Sequence, residues 1–152
     1  MIDLAPGILL IADPFLKDPN FLRTVVFLCE HKDEGSFGFV LNRQYENSLD
    51  ELIPELEGHK IPVYYGGPVQ LDSIHFVHQY PNEIPGGQEV IKGVYWGGDF
   101  EAVVNFIKKG DFDSNKIRFY IGYSGWTENQ LKEEMNEKNL VNSKSQPQTS
   151  FS

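Results

Sequence analysis

Cys29 and His31 stand two residues apart in the apolar run from Thr24 to His31. On a strand that spacing puts both side chains on one face, where a thiol and the imidazole that deprotonates it have to be. Residues so spaced lie roughly 7 Å apart along the strand, long for a thiol–imidazole hydrogen bond, and a cysteine among valines more commonly serves as an inert small hydrophobe. Ser124 is the second candidate nucleophile. Its segment, Gly122-Tyr123-Ser124-Gly125-Trp126, reads as a turn between a strand and a helix and invites comparison with the G-x-S-x-G elbow, but Trp126 stands where that motif has its last glycine. In such a turn Ser124 could hold an anion with the free N–H groups that open the helix. The plainer reading is that Gly122 and Gly125 make the turn and Trp126 anchors it.

A base for either nucleophile would come from His31, His75 or His78. His75 and His78 lie three apart on an expected strand and so face opposite ways, a poor arrangement for a metal chelate, and no metal site is expected. Glu30 points away from Cys29 and needs water or a cation such as Arg23 or Arg43. Asn42 and Arg43 close the hairpin that follows, where they could line a cleft or simply form the turn. Gly66-Gly67-Pro68 and Trp96-Gly97-Gly98-Asp99 are glycine turns at strand ends without the spacing that cradles a pyrophosphate, so no nucleotide or other cofactor is expected.

These residues need strands to hold them. Gly7 to Ala12 reads as a buried strand ended by Pro14, and Asp18-Pro19 as the start of a helical turn through Leu22. Thr24 to His31 is apolar on both alternating faces, with Val25, Phe27 and Cys29 on one and Val26 and Leu28 on the other, as in a central strand covered on both sides. Lys32 to Gly35 turns it into a second strand, Phe37 to Asn42. Ser48-Leu49-Asp50-Glu51 is a capping box opening a helix that Pro54 must kink or shorten, with Leu49, Leu52, Ile53 and Leu56 on its core face. Val63 to Tyr65, Ile74 to His78, Val90 to Trp96 and Lys116 to Gly122 follow as strands. Asp99 caps a helix with Phe100, Val103, Val104 and Ile107 inward and Gly110 at its end. After Trp126, Thr127 and Gln130 form a second capping box, and Trp126 is placed to staple onto Leu131.

A chain of 152 residues is the size of one domain, here residues 1–141, followed by a polar tail over 142–152 with the composition of a loosely ordered segment. The formal net charge of −9, with 13 Lys and Arg scattered rather than striped, argues against contact with a phosphate backbone. Met1-Ile2-Asp3-Leu4 has no basic leader character, and the apolar run Ile8 to Ala12 is too short for a signal core or a membrane span. With one cysteine there is no intrachain disulfide, in keeping with a reducing, cytoplasmic setting.

The segments Val25-Val26-Phe27-Leu28-Cys29-Glu30-His31, Gly35-Ser36-Phe37-Gly38-Phe39-Val40-Leu41-Asn42-Arg43, Tyr65-Gly66-Gly67-Pro68-Val69 and Gly122-Tyr123-Ser124-Gly125-Trp126 together resemble the bacterial YqgE/AlgH family, small proteins mostly without an assigned activity and sometimes labelled transcriptional regulators. The resemblance runs from about Gly7 to about Leu140. It implies an α+β fold, a mixed and mostly antiparallel sheet partly closed into a small barrel and flanked by helices. Family members commonly continue through a further apolar strand and a closing helix, so this chain reads as a shortened member or one covered in some other way. The expected function is a non-catalytic module in which Asn42, Arg43, Gly66, Gly67, Ser124 and Trp126 surround a cleft for a small ligand or a protein partner. Any regulatory role would be indirect, without direct nucleic-acid or membrane contact. The competing expectation is a hydrolase or transferase using Ser124 or Cys29.

Overall fold

A computed structural model describes residues 4–12, 24–32, 34–127, 130–131 and 140–142. Among the described residues the elements follow one another as β1 (Leu9–Ala12), β2 (Val25–Lys32), β3 (Gly35–Val40), β4 (Gln44–Ser48), α1 (Leu49–Leu52), β5 (Pro62–Tyr65), β6 (Val69–His78), β7 (Gln88–Ile91), β8 (Val94–Trp96), α2 (Phe100–Lys109), β9 (Ile117–Thr127) and β10 (Leu140–Asn142). The strands form one sheet in the order β10-β1-β2-β3-β9-β6-β8-β7, with the β4–β5 ribbon joined to β9 through β5. Among the described residues, β5 runs parallel to its neighbour β9 and the other pairings are antiparallel. The sheet curls into a half-barrel, so the α+β protein is dominated by strands.

The spine is β9, which is long enough to serve three partners. β6 lies beside Ile117 to Tyr123, while β5 lies beside Phe119 to Ile121 and gives way to β3 beside Ser124 to Thr127. The change of partner falls at Gly122, whose φ of 70° no β-branched or bulky residue adopts comfortably. There Gly66 and Gly67 cross so close to Gly122 and Tyr123 that a Cβ on either of the first two would collide with the facing backbone.

Three apolar clusters fill the molecule. Leu49, Ile53 and Leu56 join Val103, Val104 and Ile107 of α2 beneath Phe76, Phe119 and Ile121. Val26 and Leu28 share a second cluster with Trp126 and Leu131, and Phe27 and Cys29 a third with Phe39, Val77 and Tyr120. So β2 is covered on both faces, as its alternating apolar pattern requires.

Several local readings are met closely. Asp99 accepts hydrogen bonds from the N–H groups of Glu101 and Ala102, and Gly110 closes α2 in the left-handed region. Pro54 ends α1 and opens a single 3-10 turn, Pro54–Leu56. Others are corrected. Val90 to Trp96 is a hairpin, turned at Gly93 with φ 87°. Phe100 is 43% exposed and leaves the core stripe to the rest of α2. β4, a polar strand, carries no sequence signal that separates it from a loop. β9 runs through to Thr127, so Ser124 and Trp126 belong to a strand and not to a turn opening a helix. The readings at Pro14, Asp18-Pro19 and Arg23 lie outside the described residues, as does the expected tail over 142–152 apart from Asn142, which pairs with Leu10 in β10.

Candidate functional site

A register shift on β2 builds the site. Leu28 pairs with Gly38 and Glu30 with Phe37, so Cys29 is the extra residue of a β-bulge and the alternation reverses after it. Glu30 therefore shares a face with Phe37, and His31 faces Ser36. The expectation that Cys29 and His31 share a face fails for that reason. Cys29 is 2% exposed, its thiol directed at the Phe27 carbonyl 3.8 Å away. Burial first, and the charge of Glu30 second, push that thiol well above its ordinary pKa, so the thiolate is disfavoured.

Beyond the bulge the ends of β2, β3 and β9, with parts of β6 and β8, surround an open cleft of about 600 Å³. Its walls are aromatic: Phe37, Trp96, Tyr123 and Trp126, with His75 among them. Phe37 meets Trp96 edge-to-face at 4.7 Å between ring centres and Tyr123 at 5.7 Å, and Tyr123 meets His75 at 5.6 Å. Edge-to-face contacts of this kind fix ring orientations as well as burying area. The indole N–H of Trp96 is buried without a hydrogen-bond partner among the described residues. The polar side carries Glu30, Lys32, Glu34, Ser36, Thr127 and Gln130, with Lys32 Nζ 3.2 Å from Glu30 Oε1. Glu30 thus finds its cation two residues along its own strand.

The histidines divide by environment. Nδ1 of His31 lies 2.6 Å from Oγ of Ser36, a short contact between β2 and β3 at the edge of the cleft. His75 Nε2 lies 3.0 Å from Ser73 Oγ, and burial lowers its pKa. His78 is fully buried: the Tyr80 N–H donates to Nδ1, which leaves the ring proton on Nε2 to donate to the Gly97 carbonyl at 2.9 Å. Desolvation lowers its pKa, opposed by the Gly97 bond and by Glu83. Among the described residues no three His, Cys, Asp or Glu side chains converge as metal ligands.

Of the six positions expected to surround a cleft, Trp126 lines this one. Gly66, Gly67 and Ser124 come together elsewhere, where Ser124 is 4% exposed and its hydroxyl donates to the Gly66 carbonyl at 3.1 Å. Asn42 and Arg43 sit beyond the opposite end of β3: Asn42 Oδ1 accepts from the Val25 N–H at 3.0 Å, and Arg43 donates to Thr24 Oγ1 at 3.1 Å. Phe37, Trp96 and Tyr123 line the cleft without standing out in the sequence as site residues. Phe37 and Tyr123 stand inside the motif segments, and their alternation with glycine and serine was the available signal.

The comparisons with known proteins agree with this architecture. The AlgH-like family model (DUF179) matches residues 9–152. A UPF0301 protein of Chlorobium limicola is 45% identical over 134 residues, spanning 88% of this chain and 72% of that protein, and one of Bacteroides thetaiotaomicron is 39% identical over 139 residues, spanning 91% and 70%. The solution structure of AlgH from Pseudomonas aeruginosa superposes with a TM-score of 0.77 at 28% identity, covering 97% of this chain and 82% of that one. Protein DIP2367 of Corynebacterium diphtheriae shares the fold, with a TM-score of 0.80 at 21% identity over 99% of this chain and 81% of its own. The chain is a member of the AlgH-like, UPF0301 family.

Proposed function

We propose that this protein is a cytoplasmic binding module whose aromatic cleft receives a small ligand or one side chain of a protein partner. The cleft itself carries the reading: an open cavity of about 600 Å³ walled by aromatic rings, with a few polar groups at its edge, has the form of a recognition site. A regulatory role would run through that ligand or partner, since a chain of net charge −9 has no electrostatic footprint for duplex DNA. Among the described residues no helix is long and apolar enough to cross a membrane.

Trp96 and Trp126 are among the residues that line the cleft and are the only tryptophans in the sequence; Trp126 also packs into the Val26 and Leu28 cluster, so a change of emission is read beside its loss in Phe37→Ala. A panel of small apolar and amphipathic compounds should contain members that shift the emission saturably and raise the melting temperature. Phe37→Ala should abolish both responses. Compounds that stabilise the parent and the variant equally would place binding elsewhere.

A second reading is favoured by one contact, Ser36 Oγ to His31 Nδ1 at 2.6 Å. In this form a hydrolase or transferase would use Ser36, and neither Ser124 nor Cys29, with His31 taking the hydroxyl proton. What weighs against it is the backbone: β3 is laddered to β2 on one side and β9 on the other, which commits the N–H groups that an oxyanion would need. Incubation with a fluorophosphonate followed by intact-mass analysis separates the two, because a single adduct on Ser36, lost in Ser36→Ala and His31→Gln, would establish the enzyme.

A further inference from the structure

Four observations at the cleft concern charge, and together they narrow its ligand. The aromatic residues Phe37, Trp96, Tyr123 and Trp126 line it, and ring faces carry negative electrostatic potential. Among the described residues that line it, Glu30 and Glu34 stand at its edge against one lysine, Lys32. That cation is already engaged with Glu30 at 3.2 Å and is 56% exposed, so the ion pair is of the surface kind that exchanges at little net cost. The chain as a whole carries −9, which concentrates cations and repels anions at such a mouth.

We infer that the cleft binds an organic cation, an alkylammonium or guanidinium group held over the aromatic walls with Glu30 as its counter-ion. The incoming group takes the place that Lys32 Nζ holds beside Glu30. Two sources share this chemistry, a free alkylammonium or guanidinium compound and the side chain of a lysine or arginine. The inference rests on the proposal that the cleft is a binding site, and it adds the sign of what is bound.

The test uses the full chain and the emission of its two cleft tryptophans. Choline, tetramethylammonium, the uncharged choline analogue 3,3-dimethylbutan-1-ol and N-acetyl-lysine methylamide are titrated in turn at low salt. Choline and tetramethylammonium should both bind saturably, and choline at least tenfold more tightly than the uncharged analogue. N-acetyl-lysine methylamide binding above choline assigns the peptide source, and the reverse order the free amine. Glu30→Gln should weaken cation binding several-fold and Lys32→Ala should strengthen it, opposite directions that a general loss of structure cannot produce. Thermal melts of both variants check that the fold is intact. If the uncharged analogue binds as well as choline, the cation inference is overturned while the cleft stands as an apolar site. If none of the four changes the emission, the inference is overturned too; the wider compound panel then decides whether the cleft binds anything.

Discussion

Two places on β9 look alike in sequence and differ in use: the crossing at Gly122, where the backbone meets Gly66-Gly67, and the cleft wall at Tyr123, Gly125 and Trp126. At the crossing every small residue is taken up by contact. Gly66 donates its N–H to the Ile121 carbonyl, and its own carbonyl accepts from both the Val40 N–H and the Ser124 hydroxyl. On the face that Tyr123 shares with Gly125, by contrast, β9 borders the open cleft. One motif therefore contains a structural joint and a recognition surface, and residue type alone does not separate them.

The comparison breaks most sharply at Gly67. Its φ is 151°, and a Cβ there would overlap the backbone of Tyr123 and Ser124, so neither strand can retreat without parting β5 from β9. Overpacking costs about 1–3 kcal/mol, and a left-handed φ adds about 1–2 kcal/mol for a residue with a Cβ. Gly67→Ala should therefore lose about 3 kcal/mol, a fall of about 6–12 °C in melting temperature for a chain of this size. Gly125→Ala is the counterpart on the cleft wall: the nearest atom to its Cβ would be a Tyr123 ring carbon at 3.4 Å, an ordinary contact. Melts in which the two alanines cost the same would erase the distinction between joint and surface.

Ser124→Ala is the intermediate case. Its buried hydroxyl donates to Gly66 O, but that carbonyl keeps the Val40 N–H at 2.9 Å when the serine is gone. No acceptor is orphaned, so the loss should be about 1 kcal/mol, read from denaturant melts, with no change in any response of the cleft tryptophans to ligand. An altered ligand response at unchanged stability would return Ser124 to the functional list.

The sequence was most readable where one local rule decides the outcome. Asp99 and Gly110 bound α2, Pro54 cuts α1, and the alternation of Val26, Phe27, Leu28 and Cys29 announces a strand buried on both faces. Thr127 and Gln130 also meet as expected, the Thr127 N–H donating to Gln130 Oε1 at 2.9 Å, with Trp126 and Leu131 in one cluster. What stayed hidden depends on pairing between distant segments. Nothing local to Cys29 announces a bulge, because the shift exists only in register with Gly38 and Phe37, yet it decides which side Glu30 and His31 face. The extension of β9 to Thr127 is of the same kind, since β3 supplies the partner strand. The cleft needs Phe37, Trp96 and Tyr123 from three strands, and was legible only as residues without a location.

The smallest expected effect is one of slope, and it contrasts the two buried-side histidines. His78 sits in the folded protein with Nδ1 accepting from Tyr80 N–H and Nε2 donating to Gly97, so a second ring proton would meet a donor in place of an acceptor. Its folded pKa is lowered from 6.5, chiefly by desolvation. The unfolded chain then binds the proton more readily than the folded one, so stability is fully present above pH 6.5 and declines as pH falls from there toward the depressed value. His78→Gln, whose amide can offer both a donor and an acceptor, should flatten the loss seen between pH 7.5 and 5.5 in urea melts. His75 is also lowered by burial, but it borders the cleft and bonds to Ser73, so His75→Gln should flatten the slope while also altering the tryptophan response to ligand. Parallel pH dependence in parent and His78→Gln would show that the imidazole gains a proton without cost, and the tautomer fixed by Tyr80 and Gly97 would then have to be abandoned.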